Sequence, residues 1–116
     1  LKLSINQKTT IHWSLRECID GWVRHKIPNI GIRREKIKEI GVKESALILH
    51  DSGLKVSSLC LAGNFPCLNF SQRRKRLDDN RRAIEEAYSI NANVLVIIGG
   101  VLPDGNINKS LSIIKN

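Results

Sequence analysis

Apolar residues near the start of the chain recur at the spacing of a helix with one buried face. The stripe follows the i, i+3, i+4, i+7, i+8 pattern and consists of Leu15, Cys18, Ile19, Trp22 and Val23. Ser14 precedes Glu17 by three residues, which is the spacing of a capping box. The pattern therefore predicts a helix that begins after Ser14 and ends before Pro28.

Four short segments have the apolar, β-branched character of strands, at residues 3–5, 29–32, 55–61 and 93–98. The fourth, "NVLVII", is apolar without interruption apart from its first residue, which predicts a strand buried on both faces. From this pattern, the side chains expected to point into the middle of a closed barrel are Ile5, Ile32, Leu59 and Val96.

Helical segments alternate with these strands. We predict helices at residues 35–40 and 43–52, with Gly53 just past the end of the second. A long helix is capped by Ser71 and reaches about Asn91, and a further one starts at Asn108. The predicted inner face of the long helix is formed by Leu77, Ile84, Ala87 and Tyr88.

This β-α-β-α-β-α-β-α order predicts an α/β fold with a parallel sheet and right-handed crossovers. Two architectures compete. One is a doubly wound open sheet, with its strands in the order 2-1-3-4, and the other is a (β/α)₈ TIM barrel, with its strands in the order 1-2-3-4. A full barrel needs about 250 residues, so 116 residues would supply strands one to four with their helices, a half-barrel fragment.

Composition narrows the class of protein. Hydrophobic residues are 41% and charged residues 26% of the chain, which is typical of one globular domain. The longest apolar run is too short to span a membrane, and no signal peptide is visible, so no membrane partner is expected. The three cysteines, Cys18, Cys60 and Cys67, are odd in number and form no C-x-x-C pair, so neither a disulfide framework nor a zinc ribbon is indicated. A reducing, cytoplasmic location is therefore expected.

The net charge of +8 raises the question of nucleic acid. Much of the excess lies in "RRKR" at residues 73–76, followed by Arg81 and Arg82. Acidic residues at 78, 79, 85 and 86 interleave with these cations, as on a solvated helix face. Because no aromatic residue stands among them to stack on bases, we favour the solvated face, and a nucleic-acid partner is not expected.

In both architectures chemistry belongs at the carboxyl ends of the strands. His12 there is either a substrate-binding or proton-transferring group or a solvent-facing loop residue. Arg33 could hold a phosphate or carboxylate, or pair with a nearby acid. Trp13 is better explained by packing, and Cys60 by a small buried side chain than by a nucleophile. These loops lack clustered carboxylates or histidines, so we predict no catalytic residue and no metal ligand in this chain.

Four stretches taken together resemble the N-terminal part of the sugar phosphate isomerase/epimerase family, the xylose-isomerase-like TIM barrels. They are "LSINQKTTIHWSLRECIDG", "IPNIGIRREKIKEIG", "LKVSSLCLAGNF" and "LDDNRRAIEEAYSINANVLVIIGGVLPDG". The helix "LDDNRRAIEEA", followed by an apolar strand and Gly-Gly, is the most specific of these features. The resemblance implies that residues 1–116 are the N-terminal half of such a barrel domain.

The resemblance also implies an activity and a partner. Members of this family carry out proton transfer on sugars, sugar phosphates or related polyols with a divalent metal (Mn, Mg, Co or Zn) held by later strands. The metal would therefore not be bound by this chain, which alone would be inactive. The positions that carry over as substrate-binding are the loop residues Asn6, His12, Trp13, Arg33, Gly63, Asn64 and Phe65. Related sequences often have an aromatic residue in place of Arg33 and a more glycine-rich loop than "LAGNF", so the substrate stays open.

Two other functions stay open beside the isomerase. The net charge of +8 fits a nucleic-acid enzyme or binding protein related to the apurinic endonucleases, which share the superfamily fold. A small complete binding protein with an open sheet is the third possibility. If the half-barrel is right, open sheet edges at "KLSIN" and "NVLVIIG" predict self-association.

Overall fold

The strands and helices alternate along the chain in a computed structural model that describes residues 2–116. The strands are β1 (Ser4–Asn6), β2 (Asn29–Arg33), β3 (Lys55–Gly63) and β4 (Leu95–Ile98). The helices are α1 (Leu15–Arg24), α2 (Arg34–Ile40), α3 (Val42–Ser52), α4 (Phe70–Ser89) and α5 (Ile107–Lys115), with a short 3-10 helix at Gln7–Thr10.

The four strands form one parallel sheet in the order β1-β2-β3-β4. Each strand is therefore hydrogen-bonded to the next strand along the chain, which confirms the predicted parallel α/β sheet and its sequential order. The register of β3 shifts by one residue between Ile30 and Gly31 of β2, and again between its own Cys60 and Ala62, opposite β4.

One face of this sheet carries the core. Ile30, Ile32, Val56 and Leu59 share this face and form a single cluster with buried side chains of α1, α2, α3 and α4. These four helices consequently pack on the same side of the sheet. Three residues expected to point into a barrel, Ile5, Ile32 and Leu59, lie instead on this helix-covered face, so that prediction was wrong. Alternation along a strand shows which residues share a face of the sheet, but it does not show which of the two faces the helices cover.

The opposite face is lined by small and polar residues. Ser4, Asn6, Gly31, Ser58 and Cys60 occupy the registers that alternate with the core positions. Hydrogen bonds cross the strands on this side, as between the hydroxyls of Ser4 and Ser57, 2.6 Å apart. Across β1, β2 and β3 this face is therefore polar, and β4 adds the apolar Val96 beside Cys60.

The first helix begins where the sequence predicts. The Ser14 hydroxyl accepts a hydrogen bond from the Glu17 backbone N–H, and the Glu17 carboxylate accepts one from the Ser14 N–H at 2.7 Å. The bond from the Ser14 N–H is the largest of the effects that lower the pKa of Glu17 below its usual value. The rest of the predicted stripe is buried, but Val23 is half-exposed, because it lies on the outer edge of the stripe.

The long helix α4 differs from the prediction in its start and in its inner face. Asn69, not Ser71, caps it by accepting a hydrogen bond from the Gln72 N–H. The residues that α4 buries are Ala83, Glu86 and Ala87, with Ile90 buried just past its end, while Leu77, Ile84 and Tyr88 are exposed. Small residues let α4 approach the sheet closely, so burial follows the alanines rather than the larger apolar side chains.

The strand β4 lies at the edge of the sheet. It covers Leu95–Ile98 rather than residues 93–98, and Ile97 and Ile98 are exposed. The prediction that this strand is buried on both faces was wrong, because among residues 2–116 only one of its side chains, Leu95, packs against the core cluster. No helix in that range combines the length and the apolar character that crossing a membrane requires.

Candidate functional site at the carboxyl ends of the strands

The carboxyl ends of β1, β2 and β3 bring together an amide, a thiol and a guanidinium. The Asn6 side chain donates through Nδ2 to Cys60 Sγ at 3.6 Å and accepts from the Lys8 N–H at 2.9 Å. Arg33 ends β2 and is aligned in the sheet with Cys60. The side chains of these three neighbouring strands therefore meet at one edge of the polar face.

Gly31 gives Asn6 the space to reach across β2. A Cβ atom at residue 31 would lie 2.9 Å from Asn6 Nδ2 and 3.2 Å from Ser58 Oγ, both shorter than ordinary contacts. The amide of Asn6 thus crosses over the backbone of β2 on its way to β3. Glycine at 31 is a steric requirement of the site rather than a turn signal.

Gln7 was not predicted, although it is completely buried at this edge. Its Oε1 accepts a hydrogen bond from the Arg33 backbone N–H at 2.9 Å. That bond fixes the orientation of the amide, and among residues 2–116 Gln7 Nε2 has no hydrogen-bond partner. A buried donor without a partner is uncommon in folded proteins, and it lies here beside Arg33.

The Arg33 guanidinium is held by its neighbour on α2. Its Nε donates to Glu35 Oε1 at 2.7 Å. Burial acts to raise the pKa of Glu35, but the hydrogen bond from Arg33, a backbone hydrogen bond and the charges of Arg33 and Lys36 together keep that pKa below its usual value. The carboxylate is therefore charged at neutral pH and orients Arg33, which agrees with the ion-pair alternative for this residue.

The ends of β3 and β4 form a second part of the edge. Gly63 has a φ of 106°, and a Cβ there would lie 1.9 Å from the Ile98 carbonyl oxygen. The side chain of Asn80 on α4 forms two hydrogen bonds with the backbone of the same residue. It accepts one from the Gly63 N–H at 2.6 Å and donates one to the Gly63 carbonyl oxygen at 3.0 Å. Asn64 follows in the left-handed conformation, and its Cα would lie 2.8 Å from a Cβ at Gly100.

A groove of about 410 Å³ opens beside Asn64, between the loop after β3, the first turns of α4 and the loop after β4. Lys75 and Arg76 line it together with Val101. A groove of about 540 Å³ lies at the opposite, amino ends of β3 and β4. We assign the candidate site to the carboxyl edge, because loops at that edge carry function in parallel α/β folds.

His12 and Trp13 lie beyond the short 3-10 helix that follows β1. His12 is exposed in this loop. The Trp13 ring packs on Gly21 and meets Trp22 edge to face, with ring centroids 6.2 Å apart. The packing role expected for Trp13 is therefore present, and Phe65, after β3, is half-buried.

A buried ion triad behind the sheet was also missed. Arg34 is 5% exposed and binds both oxygens of Asp79 at 3.0 Å and Glu86 Oε2 at 2.5 Å. Burial opposes the charge of Arg34, but its hydrogen bonds to Asp79 and Glu86 raise its pKa above the usual value. Asp79 and Glu86 were predicted to be solvated, which was wrong for Glu86, since it is buried, while Asp79 is half-buried. The signal in the sequence was that Asp79 and Glu86 are seven residues apart, about two turns of helix, on either side of Ala83.

No group of three or more His, Cys, Asp or Glu side chains in residues 2–116 is arranged to hold a metal ion. The acidic groups nearest the edge are already committed, Glu35 to Arg33 and Asp79 to Arg34. The residues present therefore do not fit a metal centre. What they offer is an amide, a guanidinium and backbone groups, which bind and orient polar ligands.

Comparison with known proteins identifies a similar solved structure. The chain is similar to the crystal structure of protein SMc04130 from Sinorhizobium meliloti 1021, with a TM-score of 0.90 and 37% sequence identity. The match covers 97% of this chain and 42% of SMc04130, so this chain spans less than half the length of that protein. No family model matches the sequence, and the search of curated proteins gives no significant match.

Proposed function

We propose that this chain forms the first four strand–helix units of a (β/α)₈ barrel enzyme that isomerises or epimerises a sugar, sugar phosphate or polyol by proton transfer. In this proposal the polar face of the sheet is the inside of the barrel. The carboxyl ends of β1, β2 and β3 form one wall of its active site. The observation that carries the proposal is the sequential parallel order of the strands with α1–α4 on one face.

Topology supports the barrel over an open doubly wound sheet. A doubly wound sheet reverses its strand order at a switch point and has helices on both faces. Right-handed crossovers that always step to the next strand leave every helix on the same side, as α1–α4 are here. Continued through eight strands, such a sheet closes on itself.

The length of SMc04130 supports the same architecture. Because 97% of 116 residues make up 42% of that protein, it has roughly 270 residues. A barrel typically has about 250 residues, so a protein of that length has room for eight units where this chain has four.

The roles of this chain's residues in the proposal are binding and orientation. The Asn6 amide is fixed by Cys60 and by the Lys8 N–H, so it presents a rigid polar group to a sugar hydroxyl. Arg33, held by Glu35, presents a cation to a carbonyl oxygen or an anionic substituent. The loop at Gly63, Asn64 and Phe65 would form the adjoining wall. Because the chain's residues do not fit a metal, we assign no step through one.

A chimera tests this function. Residues 1–116 would be joined to the part of SMc04130 that this chain does not cover, and the product incubated in D₂O with aldoses, ketoses and their phosphates. Mn²⁺, Mg²⁺, Co²⁺ and Zn²⁺ would be supplied in turn. We expect deuterium at the carbon next to the carbonyl group of at least one substrate, observed by NMR.

Matched variants of the chimera separate the site from the scaffold. Asn6→Ala removes a substrate-binding amide and should lower kcat/KM at least about tenfold, equivalent to roughly 1.4 kcal/mol. Lys115→Ala changes an exposed residue of α5 and should leave kcat/KM unchanged. A folded chimera that incorporates no deuterium into any of these substrates, or an Asn6→Ala variant as active as Lys115→Ala, would contradict the proposal.

A nucleic-acid enzyme is the second candidate, because the cations of "RRKR" are all exposed. Within residues 2–116, none of Arg73, Arg74, Lys75 and Arg76 has a carboxylate within 4.0 Å. Fluorescence anisotropy with a DNA duplex containing an abasic site distinguishes the two functions. Affinity that falls steeply with salt and is lost on neutralising these residues would favour the nucleic-acid enzyme, and the sugar enzyme predicts no such binding.

A further inference from the structure

The helix α4 carries a second apolar stripe on the side away from the core. Phe70, Leu77 and Ile84 are spaced by seven residues, and Tyr88 follows four residues later. Their exposed fractions are 80%, 41%, 61% and 88%. These four residues, the outer stripe, extend over about 27 Å at 1.5 Å per residue. A seven-residue apolar repeat on an exposed helix is typical of helices that pack against another helix.

We propose that the outer stripe binds the outer stripe of a second copy of this chain, with the two α4 helices antiparallel about a two-fold axis. In this arrangement the axis passes between residues 79 and 80 of each helix. The proposal concerns a surface of α4 that faces away from the sheet, so it does not depend on the enzymatic function proposed above.

The charges beside the outer stripe favour a second copy as the occupant. Arg74, Asp78, Arg81 and Glu85 occur along one flank of the stripe in the order plus, minus, plus, minus. Reversing the helix about the point between residues 79 and 80 places Arg74 opposite the partner's Glu85. The same operation places Asp78 opposite the partner's Arg81. Each contact occurs twice, so the two-fold arrangement makes four opposite-charge contacts.

The parallel arrangement is disfavoured by the same charges. A parallel pair is related by an axis along the helices, which places this charged flank of the two copies on opposite sides of the contact. The four opposite-charge contacts are then lost. The order of charges therefore selects the antiparallel orientation.

The apolar residues are centred within one residue of the point that centres the charges. Phe70 and Tyr88 lie equally far from residue 79, and Leu77 and Ile84 are equally far from the midpoint of residues 80 and 81. An antiparallel pair thus brings the Phe70 ring near the partner's Tyr88. In the middle of the contact, Leu77 lies near the partner's Ile84. The apolar pattern and the charged pattern are therefore both compatible with one two-fold axis, to within one residue.

The size of the contact sets its strength. One face of a helix about 27 Å long buries a few hundred Å² per copy, less than the roughly 800 Å² per partner of a standard interface. We therefore expect a weak, reversible dimer whose population depends on concentration. The alternative is association through the exposed strand β4, which would continue the sheet without a fixed end.

Sedimentation equilibrium of the whole chain at concentrations from about 5 to 500 µM tests the proposal. The expected weight-average mass rises from 13.1 kDa toward twice that value and stops there. Ile84→Glu should hold the mass at the monomer value across the range. Leu47→Glu makes the same change at an exposed residue of α3 and should leave the dimer intact.

A charge exchange tests the orientation without touching the apolar residues. Arg74→Glu should weaken dimerisation by about tenfold, because it faces the partner's Glu85. Adding Glu85→Arg to the same chain restores opposite charges and should recover the original dissociation constant. The proposal is overturned if the chain is monomeric at every concentration, or if its mass rises beyond that of a dimer. It is also overturned if the double variant dimerises no more tightly than Arg74→Glu, or if Ile97→Lys in β4 dissociates the dimer and Ile84→Glu does not.

Discussion

Replacing Arg34 with alanine removes the centre of the ion triad that joins α2 to α4. Arg34 lies at the first position of α2, and its guanidinium donates to Asp79, to Glu86 and to the carbonyl oxygen of Leu61 at 3.3 Å. All its donor nitrogens are therefore engaged. After Arg34→Ala, the nearly buried carboxylate of Glu86 would keep its desolvation cost and lose its counter-charge.

The expected loss follows from burial. Removing one partner of a buried ion pair costs about 3–5 kcal/mol, because the remaining charge stays buried and unpaired. Domains of this size are stable by only about 5–15 kcal/mol, so Arg34→Ala should remove a large part of the free energy of unfolding. An exposed ion pair gives the matched control. Arg81→Ala breaks the Arg81–Asp78 pair, in which both side chains are largely exposed, and should cost about 0–1 kcal/mol.

Urea unfolding followed by tryptophan fluorescence measures both losses, since Trp22 is buried in the core. The reasoning predicts that the Arg34→Ala midpoint falls well below that of Arg81→Ala. It also predicts that Glu86→Gln recovers part of the loss when added to Arg34→Ala, because the uncompensated charge is then gone. Equal unfolding free energies for the Arg34→Ala and Arg81→Ala variants would show that the triad does not stabilise the packing of α4 against α2.

Other consequences concern single contacts at the site and behind it. The hydrogen bond from Arg34 lowers the pKa of Asp79. The stability that Asp79 contributes is therefore fully present above the usual pKa of about 3.9 and is lost as pH falls through the lowered pKa. Asp79→Asn should consequently make the unfolding free energy fall less steeply below pH 4. Gly31→Ala should cost about 1–3 kcal/mol and shift the NMR signals of the Asn6 side-chain amide, because the new methyl group meets Nδ2. Asn80→Ala should cost about 1–3 kcal/mol and speed hydrogen exchange of the Gly63 amide, and unchanged exchange would show that Asn80 does not hold the end of β3.

Local patterns were sufficient for the elements that depend on neighbouring residues. The capping box at Ser14 and Glu17 predicted the start of α1, and Gly53 predicted the end of α3, where it adopts a φ of 75°. Alternation of strands and helices predicted the parallel sheet. Each of these features follows from hydrogen bonds or packing within a few residues, or from the handedness of crossovers.

The orientation of α4 could not be predicted from apolar residues alone, because the helix carries two competing stripes. The larger residues, including Ile84 and Tyr88, face outward, while Ala83 and Ala87 face the sheet. Hydrophobicity favours the first set, but close approach to the sheet favours the second. The direction that α4 faces is a property of the packed layers.

Some residues of the site could be predicted from the local sequence, and others could not. Asn6, Arg33 and Gly63 were identified because they stand at strand ends. Gln7 and Asn80 were missed because their partners, the N–H of Arg33 and the backbone of Gly63, are distant in sequence. Side-chain contacts to a remote backbone leave no periodic signal, so only the three-dimensional structure reveals them.

Thermal unfolding of the chimera with SMc04130 tests the barrel most directly. Half of a closed barrel shares its sheet and its interior with the other half, so the two parts should unfold together. The account predicts a single cooperative calorimetric transition, with a midpoint above that of residues 1–116 alone. Two separate transitions, one of them at the midpoint of the isolated chain, would show that these residues form an independent domain and would contradict the half-barrel.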